Sequence, residues 1–390
     1  MHSSAVNISS QIKQGIHSGH STKVLIAAGG TGGHVYPAIA IADALSDECT
    51  DIEILFVGTK DHLEWEVVPR AGYDISNIWI SGFHRRLTVK NLLFPIKLGT
   101  SLIQSYQIIS KFNPDAVISC GGYAAGPVCW VAARRGIPLI VQEQNSFPGV
   151  TNRLLGKNAD LIFIAFQEAA AHFPEDKTVL TGNPTRSSLT NIDSSDAYNA
   201  FNLDSSKQTL LILGGSGGAK SINQAMANHI ATLHDDLELQ IIWQCGQRYF
   251  DWLREEVNIQ NFENLRLYDF LHNMPAAYAA ADLVISRAGA LSCAELALTG
   301  KPSLLVPSPN VAGDHQLKNA RAMVESGVAE LTKDEELDQT ITELVEKLIS
   351  NQQKLKKMRK EALKLAHPEA AQNIAANILS LIEQNQEISQ

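Results

Sequence analysis

Two glycine clusters, and the polar residues set around them, carry the chemistry legible in this chain. Gly29-Gly30-Thr31-Gly32-Gly33 and Gly214-Gly215-Ser216-Gly217-Gly218 each follow an apolar run and precede a helical pattern. A glycine-rich turn from strand to helix leaves backbone N–H groups uncovered at the helix N-terminus, a place that suits phosphate oxygens. The plain alternative is a tight turn with no ligand. Neither cluster spells G-x-G-x-x-G, and the second apolar run ends Gly58-Thr59-Lys60 without an acid for a ribose, so a dinucleotide site is a weak reading. His34 directly follows the first cluster. The helix dipole disfavours imidazolium there, so a neutral His34 could accept a proton or orient an acceptor phosphate.

Three further groups share this placement. Gly121-Gly122-Tyr123-Ala124-Ala125-Gly126-Pro127 is a strand-to-helix turn whose small residues allow close approach of a bulky acceptor. Gln142-Glu143-Gln144-Asn145 puts four polar side chains directly after a run ending at Val141, which reads as a site rather than as packing. Ser286-Arg287-Ala288-Gly289-Ala290 leads into Leu291-Ser292-Cys293-Ala294-Glu295. Ser292-x-x-Glu295 has the spacing of a capping box; alternatively, small residues and N–H groups hold a diphosphate while Glu295 reaches sugar hydroxyls. Asp314-His315-Gln316 is either a hydrolase-like Asp-His pair or a solvated helix start, and no G-x-S-x-G elbow accompanies it.

Short apolar runs alternating with helical patterns must position these groups. Strands are expected at 23–28, 52–57, 116–119, 138–141, 161–164 and 178–180, with a helix opening near Pro37 as a first-turn proline. After the turn Thr181-Gly182-Asn183-Pro184 and a polar stretch at 190–208, the pattern restarts at 209–213 and continues near 239–243, 265–267, 283–286 and 303–306. Alternation of this kind implies parallel sheets with helices on both faces. The fold class is α/β, with two doubly wound domains and a ligand cleft at the carboxyl ends of the strands. The expected boundaries are a disordered leader at 1–22, a first domain at 23–185, a second at 186–367, and a final helix at 368–384 crossing back to the first.

The 390 residues suit two domains, and 45% hydrophobic with 19% charged residues is a globular balance. A net charge of -9 disfavours nonspecific nucleic-acid binding. The five scattered cysteines show no metal-ligand spacing and read as buried thiols of a reducing compartment. No run reaches the ~18 apolar residues that span a bilayer, so a soluble or peripheral protein is expected. The basic and apolar stretch Phe83 to Lys97, with Arg85 and Arg86, could rest on an anionic bilayer or be an ordinary amphipathic helix.

The run Gly29-Gly30-Thr31-Gly32-Gly33-His34-Val35-Tyr36-Pro37-Ala38 resembles the opening signature of the MurG family. These are UDP-N-acetylglucosamine:N-acetylmuramyl-pentapeptide pyrophosphoryl-undecaprenol N-acetylglucosamine transferases. Gly121-Gly122-Tyr123, Glu143-Gln144-Asn145, Thr151-Asn152, Gly182-Asn183-Pro184-x-Arg186, Gly214-Gly215-Ser216, Arg287-x-Gly289-Ala290, Glu295 and His315-Gln316 match in order from about Lys23 to Leu381. The resemblance implies the GT-B architecture of two Rossmann-like domains and peptidoglycan synthesis at the cytoplasmic face of the inner membrane. It also implies inverting transfer of N-acetylglucosamine from UDP to the muramyl 4-hydroxyl of an undecaprenyl-diphosphate-linked peptide.

Carried over residue by residue, it sets Phe270 and Leu271 at uracil, Glu295 at the ribose, and Ser216, Ala290 and Leu291 at the diphosphate. Arg186 and Gln316 also line the donor site, Gln316 near the sugar. Thr31, Gly32, Gly33 and Asn145 count among the donor contacts, with Asn145 also near the acceptor. His34, Tyr123 and Asn152 face the acceptor, and His34 and Glu143 are both candidates for the general base. No cofactor is expected, and no D-x-D signature suggests a metal. Two residues depart from typical members: Gly217 stands in place of Gln, and Gln142 in place of His. The competing expectations are a related transferase with another acceptor, a UDP-sugar epimerase on the same fold, and a non-catalytic nucleotide-binding module.

Overall fold

From Val24 onward the run Thr22–Ala28 is apolar on successive residues because both of its faces are covered. In the computed structural model it forms β1 at the middle of a parallel sheet, with Val24 to Ala27 fully buried. The structure describes residues 21–60, 62–82, 93–190, 192–311 and 314–389. The first sheet adds β2 (Ile52–Gly58), β3 (Asp74–Asn77), β4 (Ala116–Gly121), β5 (Leu139–Glu143), β6 (Leu161–Ile164) and β7 (Thr178–Leu180), in the order β3-β2-β1-β4-β5-β6-β7. Its helices are α1 (Gly32–Glu48), α2 (Glu64–Arg70), α3 (Phe94–Phe112), α4 (Ala125–Arg134) and α5 (Val150–Leu155).

The second sheet runs β10-β9-β8-β11-β12-β13, and its ladders are likewise parallel. Its strands are β8 (Thr209–Leu213), β9 (Gln240–Gln244), β10 (Leu265–Tyr268), β11 (Leu283–Ser286), β12 (Ser303–Leu305) and β13 (Ala329–Leu331). The accompanying helices are α6 (Ser194–Phe201), α7 (Lys220–Ala231), α8 (Gln247–Val257), α9 (Met274–Ala280), α10 (Ala290–Leu298), α11 (His315–Glu325), α12 (Leu337–Ile349) and α13 (Gln352–Lys364). The last helix, α14 (Ala370–Ser389), buries Ala371, Ile374, Ala375, Ile378, Leu379 and Ile382 in the core of the first sheet, a single helical stripe laid on the face that also holds α1.

The order reverses between β1 and β4 in one sheet and between β8 and β11 in the other. Such reversals open a crevice at the strands' carboxyl ends. All four loops leaving these strands are glycine-bearing segments: Gly29–Gly33, Gly121–Gly122, Gly214–Gly218 and Arg287–Ala290.

Several expectations need correction. Helix α1 starts at Gly32 with Thr31 as N-cap, so Pro37 lies inside the helix and not in its first turn. The glycine loop provides the helix start, and Pro37 merely forgoes one N–H bond. Strand β5 continues through Gln142 and Glu143, because its neighbour β6 pairs with both. The edge strands β3 and β13 were not expected; each is short and part-exposed, without the apolar run of a central strand. The leader lies outside the described residues except for Ser21 and Thr22, and Thr22 already belongs to β1.

Candidate active site

Gly121 and Gly122 close the reversal point of the first sheet, and both need to be glycine. Their φ angles are +93° and +88°, a region costly for other residues. A Cβ on Gly122 would sit 2.2 Å from the Gly29 carbonyl oxygen, and one on Gly121 would sit 2.9 Å from His34 Cδ2. The two loops therefore touch, with the His34 imidazole against them.

His34 is the third residue of α1. Its Nδ1 lies 3.1 Å from Gly29 O and 3.2 Å from Thr31 Oγ1. A carbonyl can only accept, so Nδ1 carries the proton and Nε2 the lone pair. Burial holds the pKa below the ordinary 6.5, partly opposed by the charges of Glu143 and Glu64 and helped by His315 of the second domain. The ring is thus neutral at pH 7, with two carboxylates nearby to stabilise it once protonated.

Glu143 is 1% exposed. Its Oε1 accepts from the Asn145 N–H (2.9 Å) and Asn145 Nδ2 (3.1 Å), and its Oε2 from the Gly149 N–H (3.1 Å) and Asn152 Nδ2 (3.0 Å). Both oxygens are occupied by bonds that fold the loop between β5 and α5. Asn152 also accepts from Ser119 Oγ and donates to Gln142 O. Gln142 is fully buried; it accepts from Gln144 Nε2 and lies 3.4 Å from Asn183 Oδ1, so this departure from the family pattern sits in the packing beneath the loop. Tyr123 is more than half exposed, its ring pressed on Gly82.

In the second domain α10 opens at Ala290 with Gly289 as N-cap and no side-chain cap. Ser292 and Glu295 therefore do not form a capping box. Oε2 of Glu295 instead accepts from the hydroxyl of buried Tyr278 at 2.9 Å. Burial raises the Glu295 pKa, while the Arg186 guanidinium and the Tyr278 hydroxyl pull it down. Arg186 stacks over Tyr36 of α1, 5.1 Å from the ring centroid, so one cation links the first domain to this carboxylate.

Ser216 is exposed at the tip of the second glycine loop. The Phe270 N–H donates to Asp269 Oδ1 (2.7 Å) and the Leu271 N–H to Gln244 Oε1 (3.0 Å), so these two amides are already satisfied. Gln316 Oε1 accepts from the Ser308 N–H at 2.9 Å. Asp314 is an exposed left-handed N-cap with no side-chain cap bond, as a solvated helix start would be.

The domains meet across the cleft. Ser146 Oγ donates to Asn319 Oδ1 (3.0 Å), and Asn183 Nδ2 reaches Ala290 O (3.3 Å) and Gln144 O (3.0 Å). Lys318 lies 4.4 Å from the Phe147 ring centroid. His34, Glu143, Asn145 and Asn152 thus form one group and Arg186 and Glu295 a second; Ser216 lies in the second glycine loop, Gln316 shares a cavity wall with that loop, and Ala290 and Leu291 open α10. Tyr123, exposed beside Gly82, makes no contact with these groups among those the structure gives.

Sequence reasoning missed Glu64, Tyr278 and Gln244. Glu64 is buried and accepts from the Gly30 N–H (3.0 Å), the Thr59 N–H (3.1 Å) and Thr59 Oγ1 (2.7 Å), which fixes the first glycine loop. Gln244 ties the Gly215 carbonyl to Leu271. Only Gln244 carried a signal, as a polar residue at the carboxyl end of a buried strand.

Glycosyltransferase family 28 N-terminal domain matches residues 24–164, and its C-terminal domain matches residues 209–374. The chain belongs to glycosyltransferase family 28. It is 46% identical over 363 residues to the UDP-N-acetylglucosamine--N-acetylmuramyl-(pentapeptide) pyrophosphoryl-undecaprenol N-acetylglucosamine transferase of Flavobacterium psychrophilum, covering 93% of this chain and 98% of that one. Identity to the transferase of the same name from Christiangramia forsetii is 44%, covering 92% and 98%. Among solved structures, Acinetobacter baumannii MurG superposes with a TM-score of 0.70 at 28% identity, covering 92% and 99%. The UDP-GlcNAc 2-epimerase of Neisseria meningitidis bound to UDP-GlcNAc gives 0.66 at 16% identity, covering 92% and 100%, a likeness of fold alone. The fold is GT-B.

Proposed function

We propose that this family 28 chain transfers N-acetylglucosamine from UDP-N-acetylglucosamine to the 4-hydroxyl of an undecaprenyl-diphosphate-linked muramyl pentapeptide. The observation that carries the reading is a neutral His34, its proton-accepting Nε2 at the junction of two glycine loops, in a family whose curated relatives bear this activity by name. Residues 23–185 with the final helix form the acceptor domain, and 186–367 the donor domain.

The reaction is a single inverting displacement. His34 Nε2 takes the proton of the attacking hydroxyl, and Glu143 and Glu64 lie close enough for their charges to favour the imidazolium as it forms. Glu143, with four N–H donors on it, is assigned to holding Asn145 and Asn152 in place, not to proton transfer. The departing diphosphate lies against the N–H groups of Ala290 and Leu291 and the Ser216 loop. Thr31, Gly32 and Gly33 offer the N-terminus of α1 to the bound diphosphates. Glu295 takes the ribose hydroxyls, Arg186 lies beside it, and Gln316 meets the sugar. With both amides engaged, Phe270 and Leu271 offer their carbonyls to uracil.

The acceptor's lipid calls for an anionic inner-membrane surface on the cytoplasmic side. Among the described residues no helix is long and apolar enough to cross a membrane. Arg85, Arg86 and most of the basic stretch lie outside the described residues. Its described end exposes Leu93 and Ile96, and nearby cations stack on aromatic rings: Lys97 on Trp79, Arg134 on Trp130 and Arg135 on Tyr106. Such a surface suits a peripheral protein on anionic lipid. The test is UDP release from UDP-N-acetylglucosamine with and without the lipid-linked acceptor. Acceptor-dependent release that disappears in His34→Ala is expected; conversion of UDP-N-acetylglucosamine to an isomeric UDP-sugar without acceptor would point to the epimerase instead.

A further inference from the structure

A cavity of about 670 Å³ flanks the second glycine loop, within the size range of small-ligand sites. Its wall includes two glycines of that loop, Lys220, Ser221 and Gln224 of α7, Tyr249 of α8, Arg287, Gln316 and Asp334. Of the donor assignments, two glycines of the Ser216 loop and Gln316 line it; Ser216 itself, Phe270, Leu271, Ala290 and Glu295 do not. The cavity therefore adjoins the assigned donor residues at the second glycine loop and at Gln316 and extends away from the rest. Its floor is rigid: Arg287 donates to Val306 O (3.0 Å) and Ser221 Oγ (2.8 Å) and is paired with Asp334, which also accepts from Ser221. Its rim is basic. Lys220 is exposed, and Arg248 stacks on the Tyr249 ring at 4.6 Å. Among the described residues neither has a carboxylate partner. The single acid of the wall, Asp334, is already neutralised by Arg287.

One wall of the cavity lies next in sequence to a residue that acts on the candidate base. Gln316 follows His315, whose ring acts electrostatically on His34. In a muramyl acceptor the peptide hangs from the lactyl group on carbon 3, beside the carbon 4 hydroxyl that reacts, so it must leave the centre along a neighbouring groove. A linear peptide joined by its amino end also carries a terminal carboxylate. Resting on the transferase reading above, we propose that this cavity is the subsite for the acceptor's peptide, with Lys220 and Arg248 pairing its carboxylates.

Two acceptors separate the possibilities: the lipid-diphosphate muramyl pentapeptide, and the same compound without the peptide. The double variant Lys220→Glu with Arg248→Glu reverses two exposed charges and should raise KM for the peptide-bearing acceptor about tenfold. Its kinetics with the peptide-free acceptor should stay at wild-type values. Gln224→Trp, which fills the cavity from α7, should show the same selectivity, and Lys220→Arg should behave as wild type. Equal effects on both acceptors, or none on either, would overturn the subsite. Failure of the wild type to glycosylate either acceptor would instead overturn the transferase reading on which it rests. A glutamate at the first residue of α7 is favourable to the helix, so loss of fold is not expected to obscure the result.

Discussion

Replacing Glu295 by Gln should weaken UDP binding without loosening the fold. One carboxylate oxygen is held by the Tyr278 hydroxyl at 2.9 Å, which leaves the other for the ribose diol. Hydrogen bonds to a charged acceptor contribute about 1.5–3 kcal/mol, against about 0.5–1.5 for neutral ones. In the variant the Tyr278 hydroxyl will claim the amide oxygen and turn the NH2 group toward the ribose. The charge-assisted bonds and the attraction to Arg186 are then lost together. At about 1.4 kcal/mol per tenfold, the dissociation constant should rise between about tenfold and about a hundredfold. Tyr278→Phe, which keeps the charge but frees the carboxylate to rotate, should lose less.

The assay is calorimetry with UDP and with 2′,3′-dideoxy-UDP. Wild type should discriminate strongly between them, Tyr278→Phe less, and Glu295→Gln least. Thermal stability should be unchanged in Glu295→Gln, because Gly289 caps α10 and Glu295 takes no part in the cap. Equal discrimination by wild type and Glu295→Gln would refute the ribose assignment.

Other outcomes follow from the same geometry. His34→Ala should fold normally and bind UDP as wild type does, yet lose turnover; a large loss of UDP affinity with turnover intact at saturation would show that His34 serves the donor. Because burial holds the His34 pKa below 6.5 and the base acts neutral, kcat/KM should fall on the acid side with a midpoint below 6.5, and a midpoint above it would contradict the assignment. Lys301 is buried, donates to Ala281 O, and has its pKa lowered to about 8. The unfolded chain binds the extra proton between about pH 8 and 10.4, so stability should rise with pH across that window, by up to about 3 kcal/mol relative to Lys301→Met; a urea-midpoint difference that is flat or opposite would dismiss it. Replacing Lys97, Arg134 and Arg135 with Gln should weaken salt-sensitive binding to anionic vesicles, and unchanged sedimentation would place the membrane contact elsewhere.

The parts legible in the sequence were those where a local pattern and a global requirement coincide. A buried parallel strand must be apolar on both faces, so β1, β4, β8 and β11 announce themselves, and the glycine loops that follow them mark the reversal points where the site has to be. The site's supporting contacts had no such pattern. Glu64 is a carboxylate in the first turn of a short helix, a common and usually solvated placement, yet it holds the Gly30 and Thr59 N–H groups together. Tyr278 sits among alanines on α9 and reaches Glu295 only because α9 and α10 are brought together by the crossover from β10 to β11.

The two readings of Glu295 show the limit most clearly. Ser292-x-x-Glu295 satisfies the spacing of a capping box, but spacing does not say where a helix begins. With Gly289 as N-cap, Ser292 is the third residue of α10 and Glu295 the sixth, a full turn beyond reach of the cap. The two candidate bases also differ only once the chain is folded. His34 and Glu143 are equally polar in sequence, but folding places four N–H donors on Glu143 and leaves His34 Nε2 with its lone pair, and on that difference rests the proposal that the imidazole is the base.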